Sequence, residues 1–221
     1  MAEKVVIGNA ELWHGDYRAV LPLLPIPDLV LTDPPYGIQA AKKKAHSRVR
    51  DRECWGPLSW DDEPGDIQLL LTMSCKKIIW GGNYFQVPPS RGWLIWDKNN
   101  PPGFTLADAE LAWTNLDLAV RKWNGWNPLK SGQEKYHPTQ KPVELMAWCI
   151  GKAPDAETIC DPFMGSGTTG IACATLGKGF IGIERERKYF DIACERISLA
   201  QAQGQLLPPE PKPAAVQEAL L

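Results

Sequence analysis

The stretch ICDPFMGSGTTGIACATLGKGFIGIE, residues 159–184, restricts the possible folds of this chain more than any other. An apolar, β-branched start runs into Gly165, Gly167 and Gly170 at G-x-G-x-x-G spacing, then a helical apolar run, then a second apolar segment ending in an acid. Glycines at a strand-to-helix turn let the backbone come close to a ligand or a neighbouring helix, and strand–turn–helix–strand implies two parallel strands joined by a crossover. Glu184 follows Gly165 by 19 residues, where a carboxylate can accept hydrogen bonds from both hydroxyls of a ribose. Helix–strand packing alone also selects glycine, so the spacing gains its weight from the strand, helix and acid being in register. No Gly-Lys-Ser/Thr follows, which excludes a P-loop.

The rest of the chain repeats the alternation. Strands are predicted at KVVIG, DLVLT (28–32), KKIIWGG, GWLIWDK (92–98), ETICDPF and GFIGIER. A further pair of strands is predicted at AELAWT and LDLAVRKW. Helices are predicted at DYRAVLPLL, DIQLLLTMSC, KPVELMAWCIGKA with Pro142 in its first turn, GSGTTGIACATLG and KYFDIACERISLAQAQ. Strands alternating with helices give an α/β fold, a mostly parallel twisted sheet with helices on both faces. The 221 residues suffice for one such domain, expected at 1–203, followed by a Pro-rich tail at 204–221. No apolar run reaches the roughly 18 residues a membrane helix needs, and no secretory leader opens the chain, so a cytoplasmic protein is expected. The six cysteines are scattered without a C-x-x-C pair and the three histidines are isolated, so reduced core thiols and no metal are expected.

Residues 29–38, LVLTDPPYGI, leave a buried strand and at once fix an acid, two prolines and an aromatic. Proline sets its own φ and holds the preceding residue extended, so the Asp33 carboxylate and the Pro34 carbonyl become two acceptors at fixed spacing. An exocyclic amino group on a nucleobase offers two N–H donors to such a pair. Accepting both bonds favours a pyramidal nitrogen whose lone pair can meet a methyl donor, and Tyr36 offers the ring a stacking surface. Asp161, in CDPF just ahead of the glycines, would repel a pyrophosphate but suit a sulfonium, which favours S-adenosylmethionine over NAD.

Taken together, TDPPYG, DPFMGSGTTG, GFIGIER, HPTQKPVELM and LWHGDYRAVLPLLP resemble the motifs of the amino-group DNA methyltransferases in their permuted β-class order. The matches run from about residue 8 to residue 198. The resemblance implies a Rossmann-like class I methyltransferase fold that moves a methyl group from S-adenosylmethionine to a flipped base, adenine N6 ahead of cytosine N4. It implies that Asp33, Pro34, Pro35 and Tyr36 form the catalytic motif. Asp161, Phe163, Gly165, Ser166, Gly167 and Thr168 would surround the methionine part of the cofactor, with Glu184 on the ribose. Asp16 would lie near the adenine and Lys141 near the cofactor carboxylate, although Asp16 also suits a plain helix N-cap.

DNA is the expected partner. The basic run Lys42, Lys43, Lys44, Arg48, Arg50 and Arg52 leaves the catalytic motif directly and is the candidate for phosphate contact. Residues 37–64 and 115–136 are expected to be DNA-facing loops; the second is short for a target-recognition insertion, which points to a short or relaxed target or to help from a second subunit. Two other classes stay open: an NAD-dependent oxidoreductase, and a catalytically silent nucleic-acid-binding protein on the same fold. A protein-glutamine methyltransferase fits less well, since that group resembles N-P-P-Y with the cofactor loop first.

Overall fold

The computed structural model describes residues 2–38, 64–100, 107–125 and 140–206. Nine strands lie in one sheet: β1 (Glu3–Ile7), β2 (Ala10–His14), β3 (Leu29–Thr32), β4 (Lys76–Trp80), β5 (Trp93–Asp97), β6 (Ala109–Thr114), β7 (Arg121–Asn124), β8 (Thr158–Asp161) and β9 (Gly179–Glu184). The helices described are α1 (Tyr17–Val20), α2 (Gln68–Thr72), α3 (Val143–Ile150), α4 (Thr168–Thr175) and α5 (Arg187–Leu206). The spatial order is β1-β2-β9-β8-β3-β4-β6-β5-β7. Strands β2, β9, β8, β3 and β4 run parallel, whereas β1 and β6 run against their neighbours.

The central strands are buried on both faces, as parallel strands between helix layers must be. Along β3, Leu29 and Leu31 enter one core with Leu145, Cys149 and Phe190, while Val30 enters the opposite core with Tyr17, Leu70 and Ile183. The period-2 alternation of a strand divides these residues between the two layers.

Function is positioned by the connections. From β8 the chain crosses through α4 to β9 on one side; from β3 it crosses through α2 to β4 on the other. The crossovers diverge between β8 and β3, and the crevice above the C-terminal ends of such a pair is where open α/β sheets bind ligands. Asp161 ends β8, and Asp33 follows β3 directly.

Several expectations need correction. A strand at Ala10–His14 was not anticipated, although Ala10 and Leu12 point inward and Glu11 and Trp13 are half-buried, a strand's alternation. The two strands expected at AELAWT and LDLAVRKW are present as β6 and β7, the second confined to Arg121–Asn124, and β5 lies between them. Pro142 sits one position earlier than expected, at the N-cap of α3. Helix α5 continues through Gly204 to Leu206, where a tail was expected to begin.

Candidate active site

A cavity of about 450 Å³ opens at the switch point between β8 and β3, and Asp33, Pro35, Asp161, Phe163, Gly165, Ser166, Thr168 and Glu184 all line it. The two motifs, more than a hundred residues apart in the chain, thus share one space. Gly65 ties them together: its N–H donates to the Pro35 carbonyl at 2.8 Å, and it packs against Pro34, Pro35 and Phe163.

On the glycine side, Gly165 and Gly167 have φ of +52° and +82°, backbone that a side chain disfavours. The turn brings the Gly165 N–H onto Glu184 Oε2 at 2.9 Å, while the Glu186 N–H donates to Oε1 at 2.8 Å. Each carboxylate oxygen keeps a further lone pair. Burial pushes the Glu184 carboxyl up to about 7 against the pull of these two N–H groups. The Ser166 carbonyl and hydroxyl accept from Arg196 at 2.6 and 3.0 Å.

Asp161 lines the cavity, but its carboxylate is turned to structural duty. Oδ1 accepts from the Thr32 hydroxyl at 2.7 Å and the Phe163 N–H at 3.1 Å, and Oδ2 from the Thr169 hydroxyl at 2.6 Å. It therefore staples β8 to β3 and to α4. Burial raises it to about 6, more than the Thr169 and Thr32 bonds lower it. Asp16 N-caps α1, accepting from the Arg18 N–H at 2.9 Å, and also lines the cavity.

On the other side, the Asp33 carboxylate accepts from the Tyr36 hydroxyl and pairs with the Lys141 ammonium at 2.5 Å. The Tyr36 ring stacks on Tyr84 at 4.9 Å and meets Phe85 edge-on at 6.2 Å. Lys141, expected beside the cofactor, lines the cavity and is buried there with its ammonium against the Asp33 turn. Besides Asp33 its ammonium pairs with Glu110 at 3.1 Å, donates to the Tyr36 hydroxyl at 3.2 Å and lies 5.3 Å over the Trp80 ring. Glu110 in turn pairs with Lys98 at 2.5 Å. The sequence reading missed Glu110, Lys98, Tyr84 and Gly81. Only the pairing of β4 with β6, Trp80 opposite Ala112, carries Glu110 to the sheet edge that bears Asp33.

The expected phosphate-contacting run, Lys42, Lys43, Lys44, Arg48, Arg50 and Arg52, lies outside the described residues. Of the second expected loop only 115–125 is described, and it contains the edge strand β7.

Strand order and cavity together define a Rossmann-like class I methyltransferase fold, and solved structures agree. The complex of M1.HpyAVI with S-adenosylmethionine superposes with a TM-score of 0.52 at 24% identity, over 85% of this chain and 98% of that one. The cytosine-N4-specific PvuII DNA methyltransferase gives 0.52 at 16% identity, over 90% and 93%. In sequence, the N6/N4 methyltransferase family model, described as DNA methylase, matches residues 82–195, just over half of the chain. The chain belongs to this family. It is 28% identical over 226 residues to the type II methyltransferase M.HinfI of Haemophilus influenzae, covering 77% of this chain and 62% of that protein. It is 41% identical over 87 residues to M2.DpnII of Streptococcus pneumoniae, covering 38% and 29%. It thus spans less than two thirds of the length of either relative.

Proposed function

We propose that this protein is a DNA amino-methyltransferase that uses S-adenosylmethionine to methylate the exocyclic amino group of a base turned out of the helix, adenine N6 in preference to cytosine N4. The observation that carries this is the single cavity bordered by both the Asp33-Pro34-Pro35 turn and the Gly165–Glu184 pair. The residues fit the cofactor: Glu184 presents a held carboxylate, and a Cβ placed on Gly165 would meet no atom within 4 Å, so open space lies against that backbone. When bound, S-adenosylmethionine supplies an electrophilic methyl group on a sulfonium. Glu184 would hold the ribose, and Phe163, Ser166 and Thr168 the methionine part. Asp33 and the Pro34 carbonyl would accept the two amine N–H bonds, and Tyr36 would stack on the base, worth about 1–3 kcal/mol. Holding amine and methyl in line supplies a large share of the acceleration, since orientation of this kind is worth roughly 7–11 kcal/mol. Asp as the first residue of D-P-P-Y supports adenine, because cytosine-N4 members more often resemble S-P-P-Y.

Tritiated methyl transfer into unmethylated DNA, followed by digestion to nucleosides and mass identification, tests this. N6-methyladenine is the expected product. N4-methylcytosine would overturn the base assignment, and cofactor binding without transfer would favour the silent nucleic-acid-binding class. Calorimetric binding of NAD but not S-adenosylmethionine would favour the oxidoreductase.

Glu184 makes cofactor affinity pH-dependent. Burial holds its carboxyl up at about 7, and ribose hydroxyls donate best to the ionised form. Binding near pH 7 is therefore expected to release a proton, and Kd to fall by up to about tenfold per unit as pH rises from about 6 to about 7. Calorimetry in buffers of different ionisation enthalpy measures both. Glu184→Gln should weaken binding above about pH 7 by about 10–100-fold, the worth of hydrogen bonds to a charged group, and flatten the slope. An unchanged Kd would remove Glu184 from the ribose role.

A further inference from the structure

Two carboxylates compete for one buried ammonium beside the catalytic motif. Lys141 is only 4% exposed. Its nitrogen stands 2.5 Å from Asp33 Oδ2 and 3.1 Å from Glu110 Oε2, so neither acid has it alone. Glu110 has a second cation, Lys98, at 2.5 Å; Asp33 has only the neutral Tyr36 hydroxyl as its other partner among the described residues. We propose that Glu110 is a positioning residue for methyl transfer: by taking a share of the Lys141 ammonium, it leaves the Asp33 carboxylate basic enough to accept the amine's hydrogen bonds and then its proton. This rests on the methyl-transfer role proposed for Asp33.

The chemistry requires such a balance. As the base nitrogen forms its bond to the methyl carbon, the carbon–sulfur bond breaks, and the positive charge passes from sulfur to nitrogen. The nitrogen then sheds one proton, whose N–H electron pair restores the neutral amine, and the nearest fixed acceptor is an Asp33 oxygen. A carboxylate wholly neutralised by a contact ammonium would be a poor acceptor; one without any cation would be protonated by burial before the base arrived. Lys141 shared between two acids lies between these extremes. The charges facing Asp33 agree: burial raises it, Lys141 lowers it, Glu110 raises it and the Tyr36 bond lowers it, with Asp161 across the β3–β8 step also within its field. The result is a raised carboxyl. At Glu110, burial is outweighed by Lys141 and Lys98, which bring it down to about 2.

The two neighbours should act on Asp33 in opposite directions. Glu110→Gln hands Lys141 entirely to Asp33, and the Asp33 midpoint is expected to fall by about one pH unit. Lys98→Met leaves Glu110 leaning harder on Lys141, and the midpoint is expected to rise. Titrating 13C-labelled aspartate carboxyls by NMR in the full chain, with Asp33→Asn to assign the signal, reads both without any need for turnover. In turnover, the acidic limb of the kcat–pH profile should move with the midpoint. The Glu110→Gln enzyme should lose about three- to tenfold in kcat near neutral pH through the weaker acceptor, with cofactor Kd within about twofold of wild type. A purely structural Glu110 would lower kcat without moving the limb. Methyl transfer by wild type with an Asp33 midpoint unmoved, or raised, in Glu110→Gln overturns this inference alone. A wild-type enzyme that transfers no methyl group overturns the function proposed above and, with it, the purpose assigned to Glu110.

Discussion

Replacing Asp33 with alanine is expected to cut methyl transfer by about 10²–10³-fold or more, while cofactor affinity stays within about twofold. The rate effect is the size seen when a preorganised group aimed at developing charge is removed. The separation follows from geometry. Glu184 and the Gly165 turn are held by backbone N–H groups of their own strand end and loop, with no bond to Asp33. Nor does the substitution orphan a buried charge, because Lys141 keeps its ion pair with Glu110, and so the fold is expected to survive. Asp33→Asn keeps one acceptor oxygen and the side-chain shape but no charge, and an intermediate loss is expected. Single-turnover methyl incorporation and calorimetry measure the two effects separately. Equal loss of rate and affinity in Asp33→Ala would show that the residue holds the fold rather than the base.

How far the sequence discloses this site depends on how local each signal is. The glycine turn and its acid were legible because strand, turn, helix and Glu184 sit within one crossover unit, whose register is dictated by short-range geometry. The Asp-Pro-Pro-Tyr turn was legible for the same reason: proline constrains its own neighbours. The long-range placements were not. Lys141 precedes a helix-starting proline, and nothing nearby says that its side chain turns toward Asp33 and Glu110. AELAWT reads as an ordinary strand, and Glu110 reaches Lys141 beside the Asp33 turn only because β6 runs antiparallel to β4, which brings its first residues to the edge where the parallel strands end. The same non-local order seats β5, which comes earlier in the chain, between β6 and β7. Asp161 shows a subtler limit. Its place beside the cavity could be anticipated, but not that Thr32 and Thr169, from two other elements, would take up its oxygens.

Gly81 carries the second large effect, and it links the fold to the chemistry through packing alone. It follows β4 with φ of +70°, and its N–H donates to the Leu111 carbonyl of β6 at 2.8 Å. A Cβ there would fall 2.1 Å from Cε1 of Tyr36, far inside contact distance, and into the ring itself rather than a flexible end. The ring cannot move sideways cheaply, because Tyr84 stacks on it and its hydroxyl is bonded to Asp33. Gly81→Ala should therefore displace Tyr36, lose the stacking surface and the Asp33 bond together, and lower kcat by more than about 100-fold, at a stability cost of about 1–3 kcal/mol. Cofactor affinity should hold, since Gly81 is not among the residues lining the cavity. Gly177 supplies the control: its φ is +67°, but a Cβ there meets no atom within 4 Å. Gly177→Ala should show the backbone strain, about 1 kcal/mol in a denaturant titration, with methyl transfer intact. Equal activity loss in both variants would mean that left-handed backbone, and not the seat of the Tyr36 ring, is what Gly81 provides.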